Sequence, residues 1–218
     1  WWMMYHGYEN GYWTLGRQAL LEPVEWAEDG WPRPLGGDLS RPIKKPMETG
    51  AQQHGMALSD DFQTDRMGTA WAFYDPEPNE ASRLQRLDGT LYMQAKGKTP
   101  SDCAPLCCIA GDQAYRVTVD IDADEGTEAG LLLFYNRRLY AGLGFGNGAL
   151  MMHRYGLQRS RGAHSAQDNS GKLSIRLTND RNILTIHTSN DGRQTWRKFD
   201  VQMEVSGYHH NVAYDFLS

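Results

Sequence analysis

The chain has 218 residues with a formal net charge of −5, and 40% of them are hydrophobic. This length suits one substantial domain plus an appendage, or two small domains. It also allows a hydrophobic core large enough to fold without disulfide bonds. Neither nucleic acid nor a membrane is expected as a partner, because the basic residues are scattered and no stretch is long and apolar enough to cross a bilayer.

The opening segment predicts a β-hairpin. A strand ends near Tyr8, a Glu-Asn-Gly turn follows at residues 9–11, and a second strand runs from Tyr12 to about Leu21. Asn-Gly supplies the positive φ angles that tight hairpin turns need. Two strands alone cannot bury their apolar faces, so this hairpin needs a partner sheet.

A segment rich in proline and glycine follows, from Gly30 to about Ala57. Its turn-forming and strand-breaking residues exclude a regular element over any length. They are Pro32, Pro34, Gly36, Gly37, Pro42 and Pro46. We therefore predict an extended linker and a domain boundary in this segment.

Strand patterns recur from Leu58 onward. The segment YRVTVDIDAD alternates apolar and polar residues, as does a strand with one solvated face, and KLSIRLTND repeats the pattern. The predicted inward residues are Tyr115, Val117, Val119 and Ile121 in the first segment and Leu173, Ile175 and Leu177 in the second.

The remaining strands complete an all-β pattern. The continuously apolar Gly130–Asn136 predicts a central strand covered on both faces. The glycine spacing of LYAGLGFGNGALMMHRY predicts a hairpin with a turn or bulge, and Asn190-Asp191-Gly192 predicts another hairpin turn. Many short strands without amphipathic helices predict an antiparallel β-sandwich, whose topology this pattern leaves open.

Some polar residues could carry chemistry. Asp120, Asp122 and Asp124 lie on the polar side of an alternating strand, which is typical of a solvated face and does not indicate a catalytic pair. The cysteines show no metal-ligand spacing and are interpreted as small buried hydrophobic residues. They are Cys103, Cys107 and Cys108.

The loop SGYHHN offers a second group of candidates. Tyr208, His209 and His210 could contact a sugar through ring faces and hydrogen bonds, or could simply make local hydrogen bonds. The residue types alone do not separate these two alternatives. By the same reasoning, His6 and Arg17 are ordinary residues of the opening strands.

Two long segments resemble glycoside hydrolase family 43. YHGYENGYWTLGRQALLEPVEWAEDGWP resembles the last blade of that family's five-bladed β-propeller. The stretch from LSDDFQTDRMGTAWAFYDP to SGYHHNVAYDFLS resembles the concanavalin-A-like (jelly-roll) sandwich that follows the propeller in the β-xylosidase and α-L-arabinofuranosidase branch. The resemblance implies an all-β chain: propeller strands over 1–33, a linker over 34–57 and a sandwich over 58–218.

The resemblance also implies roles for individual residues. Arg17 matches the family arginine that reaches the sugar, and His6 matches a histidine near the propeller axis, associated with a calcium or water site. The family's three catalytic carboxylates come from earlier blades, so no catalytic residue is expected in this chain. Because the family's sandwich continues beyond the motif FLS, we expect the chain to be a piece of a longer bacterial protein, cut at both ends.

Three functions remain open at this point. The chain could be an accessory region that packs on the missing propeller and shapes its pocket, within an enzyme that hydrolyses glycosidic bonds of xylan- or arabinoxylan-derived oligosaccharides with inversion. It could instead be an independent carbohydrate-binding module, or a purely structural domain that mediates homo-oligomers. The module's candidate platforms are Trp71, Tyr74, Tyr135, Tyr140 and Tyr155.

Two further expectations rest on the resemblance. Calcium is a candidate ligand, because the family sometimes carries it in the sandwich and Asp60 and Asp61 lie at the corresponding end of the domain. The compartment stays open between extracellular, periplasmic and cytoplasmic, because the aromatic start of the chain has no features of a signal peptide.

Overall fold

The structure is a computed structural model that describes most of the chain. The described residues are 1–8, 11–36, 57–64, 67–155, 157–165 (backbone only) and 171–213. They belong to two compact units that meet in sequence between Met56 and Ala57. Most of the predicted linker therefore lies outside the described residues.

The first unit contains a three-stranded antiparallel sheet. Its strands are β1 (Trp2–Gly7), β2 (Gln18–Trp26) and β3 (Pro32–Pro34), in the order β1-β2-β3. The predicted hairpin is confirmed, because β1 and β2 pair in register from Trp2 opposite Pro23 to Gly7 opposite Gln18.

Two details of this sheet differ from the sequence prediction. The second strand begins at Gln18 instead of Tyr12, because a 3-10 turn at Trp13–Leu15 occupies part of the connection. Residues 9–10 of the predicted turn lie outside the described residues. The third strand, β3, lies in the segment predicted to lack any element, and an edge strand is a position where proline is tolerated.

The second unit consists almost entirely of strands. They are β4 (Trp71–Phe73), β5 (Leu84–Leu87), β6 (Thr90–Met93), β7 (Leu106–Cys108), β8 (Ala114–Asp122), β9 (Ala129–Asn136), β10 (Leu139–Gly146), β11 (Ala149–Arg154), β12 (Leu157–Ser165), β13 (Lys172–Asp180), β14 (Ile183–Ser189), β15 (Arg197–Lys198) and β16 (Met203–Glu204). A 3-10 turn at Glu80–Arg83 precedes β5, and a short helix, α1 (His210–Ala213), follows β16.

Two antiparallel sheets form the sandwich. One has the strand order β12-β11-β10-β9 and the other β15-β14-β13-β8, with β16 also paired to β14. Two small sheets, β4-β7 and β5-β6, accompany them. The predicted antiparallel β-sandwich is confirmed.

The core lies between the two large sheets. It combines inward residues of β10 and β11 with inward residues of β13 and β14, and the segment after β15 closes it. The buried members are Ala141, Leu143, Phe145, Leu150, Met152, Leu173, Ile175, Leu177, Leu184, Ile186, Phe199, Met203, Val205 and Tyr208. The predicted inward residues of β13 are buried, and those of β8 pack against this core.

The prediction of a central strand at Gly130–Asn136 is wrong in one respect. This segment forms β9, which among the described strands lies at the edge of its sheet, next to β10. Both faces are nevertheless covered. Leu131 and Leu133 pack against the core, while the Phe134 ring lies 5.0 Å from that of Tyr74. A continuous run of apolar residues therefore indicates that both faces of a strand are covered by side chains. It does not indicate that the strand has hydrogen-bonded neighbours on both sides.

The glycine-rich segment forms the hairpin of β10 and β11. Asn147 and Gly148, with φ angles of 51° and 73°, make its turn, as predicted. The bulge lies elsewhere, between Leu139 and Tyr140. A Cβ at Gly130 in β9 would overlap the backbone of β10, so glycine here permits close approach of two strands.

Candidate functional site

Tyr208 lies in the loop between β16 and α1, and the structure buries it. The side chain is 1% exposed. Its hydroxyl accepts a hydrogen bond from the Tyr155 backbone N–H at 3.0 Å and donates one to the Tyr140 carbonyl at 3.3 Å. In this position Tyr208 anchors the loop to the sandwich, which is the local role that the residue types left open. The expected sugar contact by Tyr208 stays a prediction.

The local backbone explains why the loop has this shape. Val205 N–H donates to the Asn182 carbonyl at 2.9 Å, and Tyr208 N–H donates to the Val205 carbonyl at 2.9 Å. Val205 is itself in the core. A tight turn fixed at both ends thus presents the next two residues at the surface of the unit.

His209 and His210 are half-buried at the start of α1. Their ring centroids lie 6.1 Å apart, and Asn211 N–H donates to His209 Nδ1 at 3.3 Å. Burial, and then the proximity of His210, lower the pKa of His209 below its ordinary value. Because Nδ1 accepts the Asn211 bond, a neutral His209 carries its proton on Nε2, which is the nitrogen that could donate to a sugar hydroxyl.

In the first unit, Arg17 belongs to a small aromatic cluster. Its guanidinium carbon lies 5.6 Å from the centroid of the Tyr8 ring, which in turn lies 4.4 Å from the Trp13 ring. The side chain of Arg17 is exposed. The cation–π contact orients the guanidinium and leaves its N–H groups accessible.

His6 lies on β1 opposite Ala19 of β2 and is exposed. It shares its side of the hairpin with Trp2 and Met4, as the alternation of a strand requires. The expected calcium or water site at His6 stays a prediction.

Asp60 and Asp61 are engaged in local structure. Asp60 accepts hydrogen bonds from Phe62 N–H at 2.8 Å and from the Trp71 indole at 3.0 Å, and Asp61 accepts from Gln63 N–H at 3.1 Å. Within the described ranges, no three His, Cys, Asp or Glu side chains come close enough to hold a metal ion. These residues give calcium no additional support, so it stays an expectation.

The carboxylates of β8 have partners. Asp120 accepts hydrogen bonds from Ser174 at 2.6 Å and from Arg193 at 2.8 and 2.7 Å. Burial raises its pKa, but the bonds from Arg193 and Ser174 outweigh that effect and the pKa is lowered. Asp122 pairs with Lys172 at 3.2 Å. Both carboxylates are thus ion-paired on the sheet surface, and the lowered pKa of Asp120 is the opposite of what a general acid needs.

An ion-pair network that the sequence analysis did not identify centres on Glu80. Glu80 is 4% exposed and pairs with Arg83 and, at 2.8 Å, with Lys96. The bonds from Lys96 and then Arg83 lower the pKa of Glu80 to about 2. Arg83 also donates to the Gln94 carbonyl at 2.9 Å. The network ties the 3-10 turn to the segment that follows β6 and so supports the local structure.

Of the five candidate aromatic platforms, one is buried, three are half-buried and one is exposed. Tyr140 is buried, and Tyr135 packs against the core. Trp71 lies against Phe62 and hydrogen-bonds Asp60, and Tyr74 contacts Phe134. Tyr155 is exposed, with Arg154 over its ring at 5.2 Å.

The cysteines are all free thiols. Burial raises the pKa of Cys107 to about 11, so this thiol stays protonated at neutral pH. Cys103 is half-buried, but Cys108 is exposed, so its interpretation as a buried residue is wrong. The residues of β7 alternate between faces, which separates the two vicinal side chains.

No helix in the described part of the chain is long and apolar enough to span a membrane. No protein-family model matches the sequence, and neither does any curated protein.

Solved structures share the fold over nearly the whole chain. The GH43 BlXynB protein from Bacillus licheniformis matches with a TM-score of 0.76 and 22% identity, over 99% of this chain and 44% of that one. Xylan β-1,4-xylosidase from Bacillus halodurans C-125 matches with a TM-score of 0.76 and 16% identity, over 97% and 44%. A GH43_12 protein from a capybara gut metagenome gives a TM-score of 0.74 and 13% identity, over 97% and 44%. The chain thus spans less than half the length of these proteins and shares their fold over that part.

Proposed function

We propose that this chain is the accessory region of a hemicellulose-degrading glycosidase of the family 43 type, acting on xylan- or arabinoxylan-derived oligosaccharides. The observation that carries the proposal is the extent of the fold match. It includes 99% of this chain, and so residues of both units, yet only 44% of the solved GH43 protein. The sequence resemblance assigns the same two segments to the end of a propeller and to the sandwich that follows it.

The surface of the first unit supports a missing partner. The three-stranded sheet leaves large apolar side chains exposed, which a small sheet in water does not tolerate as an independent unit. They are Trp1, Trp2, Met4, Trp13, Leu21, Trp26 and Trp31. Packing of this sheet against further propeller blades would cover them.

The chain contributes substrate contacts, and the missing blades contribute the chemistry. Arg17 donates charge-assisted hydrogen bonds to sugar hydroxyls from the propeller strands. His209 and His210, in the loop that Tyr208 anchors, bind sugar hydroxyl groups. The catalytic carboxylates act from earlier blades, one protonating the leaving oxygen and the other activating water, with inversion.

The experiment compares the full-length protein of the same gene with the 218-residue chain. The full-length protein should hydrolyse aryl β-xylosides or aryl α-L-arabinofuranosides, and the chain alone should not. In the full-length protein, Arg17→Ala should lower kcat/KM by roughly tenfold to a hundredfold, the value of a lost hydrogen bond to a charged group. His209→Ala and His210→Ala should raise KM several-fold.

Arg33→Ala is the matched control, because Arg33 is an exposed arginine of the same unit that pairs with Asp29. Its kcat/KM should stay unchanged. Absence of glycoside hydrolysis by the full-length protein would overturn the proposed enzyme class. Equal effects of Arg17→Ala and Arg33→Ala would overturn only the role of Arg17.

A further inference from the structure

A row of polar residues crosses the outer face of the β8-β13-β14-β15 sheet. The strand register places Thr118 opposite Arg176, Arg176 opposite His187, and His187 opposite Lys198. Directly opposed residues point to the same side of a sheet. The inward neighbours of Arg176, Ile175 and Leu177, are in the core, so this row faces away from it. We call these four residues the cationic row.

Two residues extend the cationic row. Arg116, two positions before Thr118 on β8, is exposed on the same face. Trp196, from the loop before β15, lies under the Arg176 guanidinium, with its ring centroid 3.7 Å from the guanidinium carbon. Arg176 Nε also donates to Thr118 Oγ1 at 3.3 Å. The guanidinium is therefore held between the indole and the Thr118 hydroxyl.

Three carboxylates on this face have other partners. Asp120 is bound by Arg193, Asp122 pairs with Lys172, and Asp180 pairs with Arg181. In the described part of the chain, no ion pair involves Arg116, Arg176 or Lys198. The charges of these three residues are thus not neutralised by an ion pair within the described residues, on a protein whose net charge is −5.

The cations of this face also affect His187, which lies between Arg176 and Lys198. Its Nδ1 is buried and has no hydrogen-bond partner in the described residues. Burial and then the nearby Arg176, Lys198 and Arg116 lower the pKa of His187. An anion bound beside Arg116, Arg176 and Lys198 would reduce the repulsion that these cations exert on a protonated His187.

We propose that the cationic row binds the carboxylate groups of an acidic polysaccharide, a glycan that carries uronic acid residues. An arginine fork held in one orientation matches the geometry of a carboxylate, and a lysine supplies a second charge. Three strand spacings separate Thr118 from Lys198, about 14 Å, so a ligand that contacts the whole row is an extended chain and not a single small anion. The indole of Trp196 helps to hold the guanidinium of Arg176 in place.

A glycan fits this face better than nucleic acid does. The row is a single line of charges flanked by paired carboxylates, whereas phosphate backbones require broad basic surfaces. The inference goes beyond the proposed function, because the site lies wholly within the second unit and needs no propeller.

The test uses the 218-residue chain and isothermal titration calorimetry. The ligands are oligogalacturonate, a neutral xylo-oligosaccharide of equal length, and a single-stranded oligonucleotide of equal charge. Oligogalacturonate should bind, and its affinity should fall as salt rises. Arg176→Gln and Lys198→Gln should each weaken binding by roughly tenfold, the value of one charge-assisted hydrogen bond. The His187 ring proton, followed by NMR, should titrate at higher pH when the oligosaccharide is bound.

Lys172→Gln is the matched control, because Lys172 is an exposed residue of the same strand whose charge is paired with Asp122. It should bind oligogalacturonate as the wild type does. Lys198 is exposed on a two-residue edge strand, so Lys198→Gln keeps the test valid if Arg176→Gln fails to fold. Absence of oligogalacturonate binding, equal binding of the neutral sugar, tighter binding of the oligonucleotide, or an equal loss in Lys172→Gln would each overturn the proposal.

Discussion

Tyr208 and Tyr155 are 53 residues apart in sequence, and the Tyr155 backbone N–H donates to the Tyr208 hydroxyl at 3.0 Å. Tyr155 has a φ of 51°, a conformation that costs energy for a residue with a side chain. The hydrogen bond and the ring contact at 5.5 Å help to stabilise that conformation. The end of β11 and the histidine loop are therefore fixed to each other.

Tyr208→Phe should destabilise the second unit by about 1–2 kcal/mol, because the Tyr155 N–H and the Tyr140 carbonyl both lose a partner. Urea unfolding followed by fluorescence measures the change. Tyr92→Phe is the control, since Tyr92 is exposed, and it should leave stability within about 0.5 kcal/mol of wild type. Equal stability of the two variants would contradict the anchoring role of Tyr208.

His153 makes stability depend on pH. It is 5% exposed on β11, its Nδ1 has no hydrogen-bond partner among the described residues, and burial lowers its pKa to about 4. The unfolded state binds this proton more readily than the folded state between pH 6.5 and about 4. Stability should therefore be full above pH 6.5 and fall by up to about 3 kcal/mol as pH drops through this range.

His153→Gln should flatten the dependence of unfolding free energy on pH in that range, measured by urea unfolding at several pH values. His187→Gln serves as the comparison, because burial also lowers the pKa of His187 but the residue is only half-buried. Its effect on the slope should be smaller. An unchanged slope in His153→Gln would remove His153 as the cause.

Glu80 should support the fold as a carboxylate. The pKa of about 2, against an ordinary 4.5, means that its contribution is present above pH 4.5 and is lost as pH falls through about 2. Glu80→Gln should lower Tm by several degrees at pH 7, because Arg83 and Lys96 lose their buried partner. Glu77→Gln should change Tm little, since Glu77 is exposed and pairs only with Lys96 at 3.4 Å. Thermal unfolding by circular dichroism separates the two.

Gly130→Ala should be strongly destabilising, by more than about 2 kcal/mol, because the added methyl group would overlap the Leu143 carbonyl and the Gly144 backbone of the neighbouring strand. Gly68→Ala should be neutral or slightly stabilising, since open space surrounds that position. Chemical unfolding of both variants checks the prediction. A tolerated Gly130→Ala would mean that β9 and β10 can separate locally.

The sequence predicts the strands with one solvent-exposed face well. Alternate residues of such a strand face the core and the solvent, so the alternation of apolar and polar residues directly reflects burial. Leu173, Ile175 and Leu177 lie where that alternation puts them. It predicts the position of β9 in its sheet poorly. Cover on both faces arises from side chains such as Tyr74, far away in the chain, and says nothing about hydrogen-bonded neighbours.

The candidate sites were predictable to a smaller extent. A loop written SGYHHN looks polar, but the burial of Tyr208 depends on Tyr140 and Tyr155, which only the fold brings to it. The cationic row was similarly hidden. Arg176, His187 and Lys198 become neighbours through strand register, and no spacing within one segment records that.

The third strand of the first unit, β3, limits where a further strand can pair with the sheet. The hydrogen bonds from Leu35 N to the Pro23 carbonyl and from Ala27 N to the Trp31 carbonyl, each 3.0 Å, fix its register. In that register the nitrogens of Pro32 and Pro34 point away from β2, so the outer border of β3 offers no N–H donor at either position. A further strand placed at that border could not form a complete ladder of backbone hydrogen bonds. Among the described strands of this sheet, the border of β1 is therefore the more favourable place for a further strand to pair.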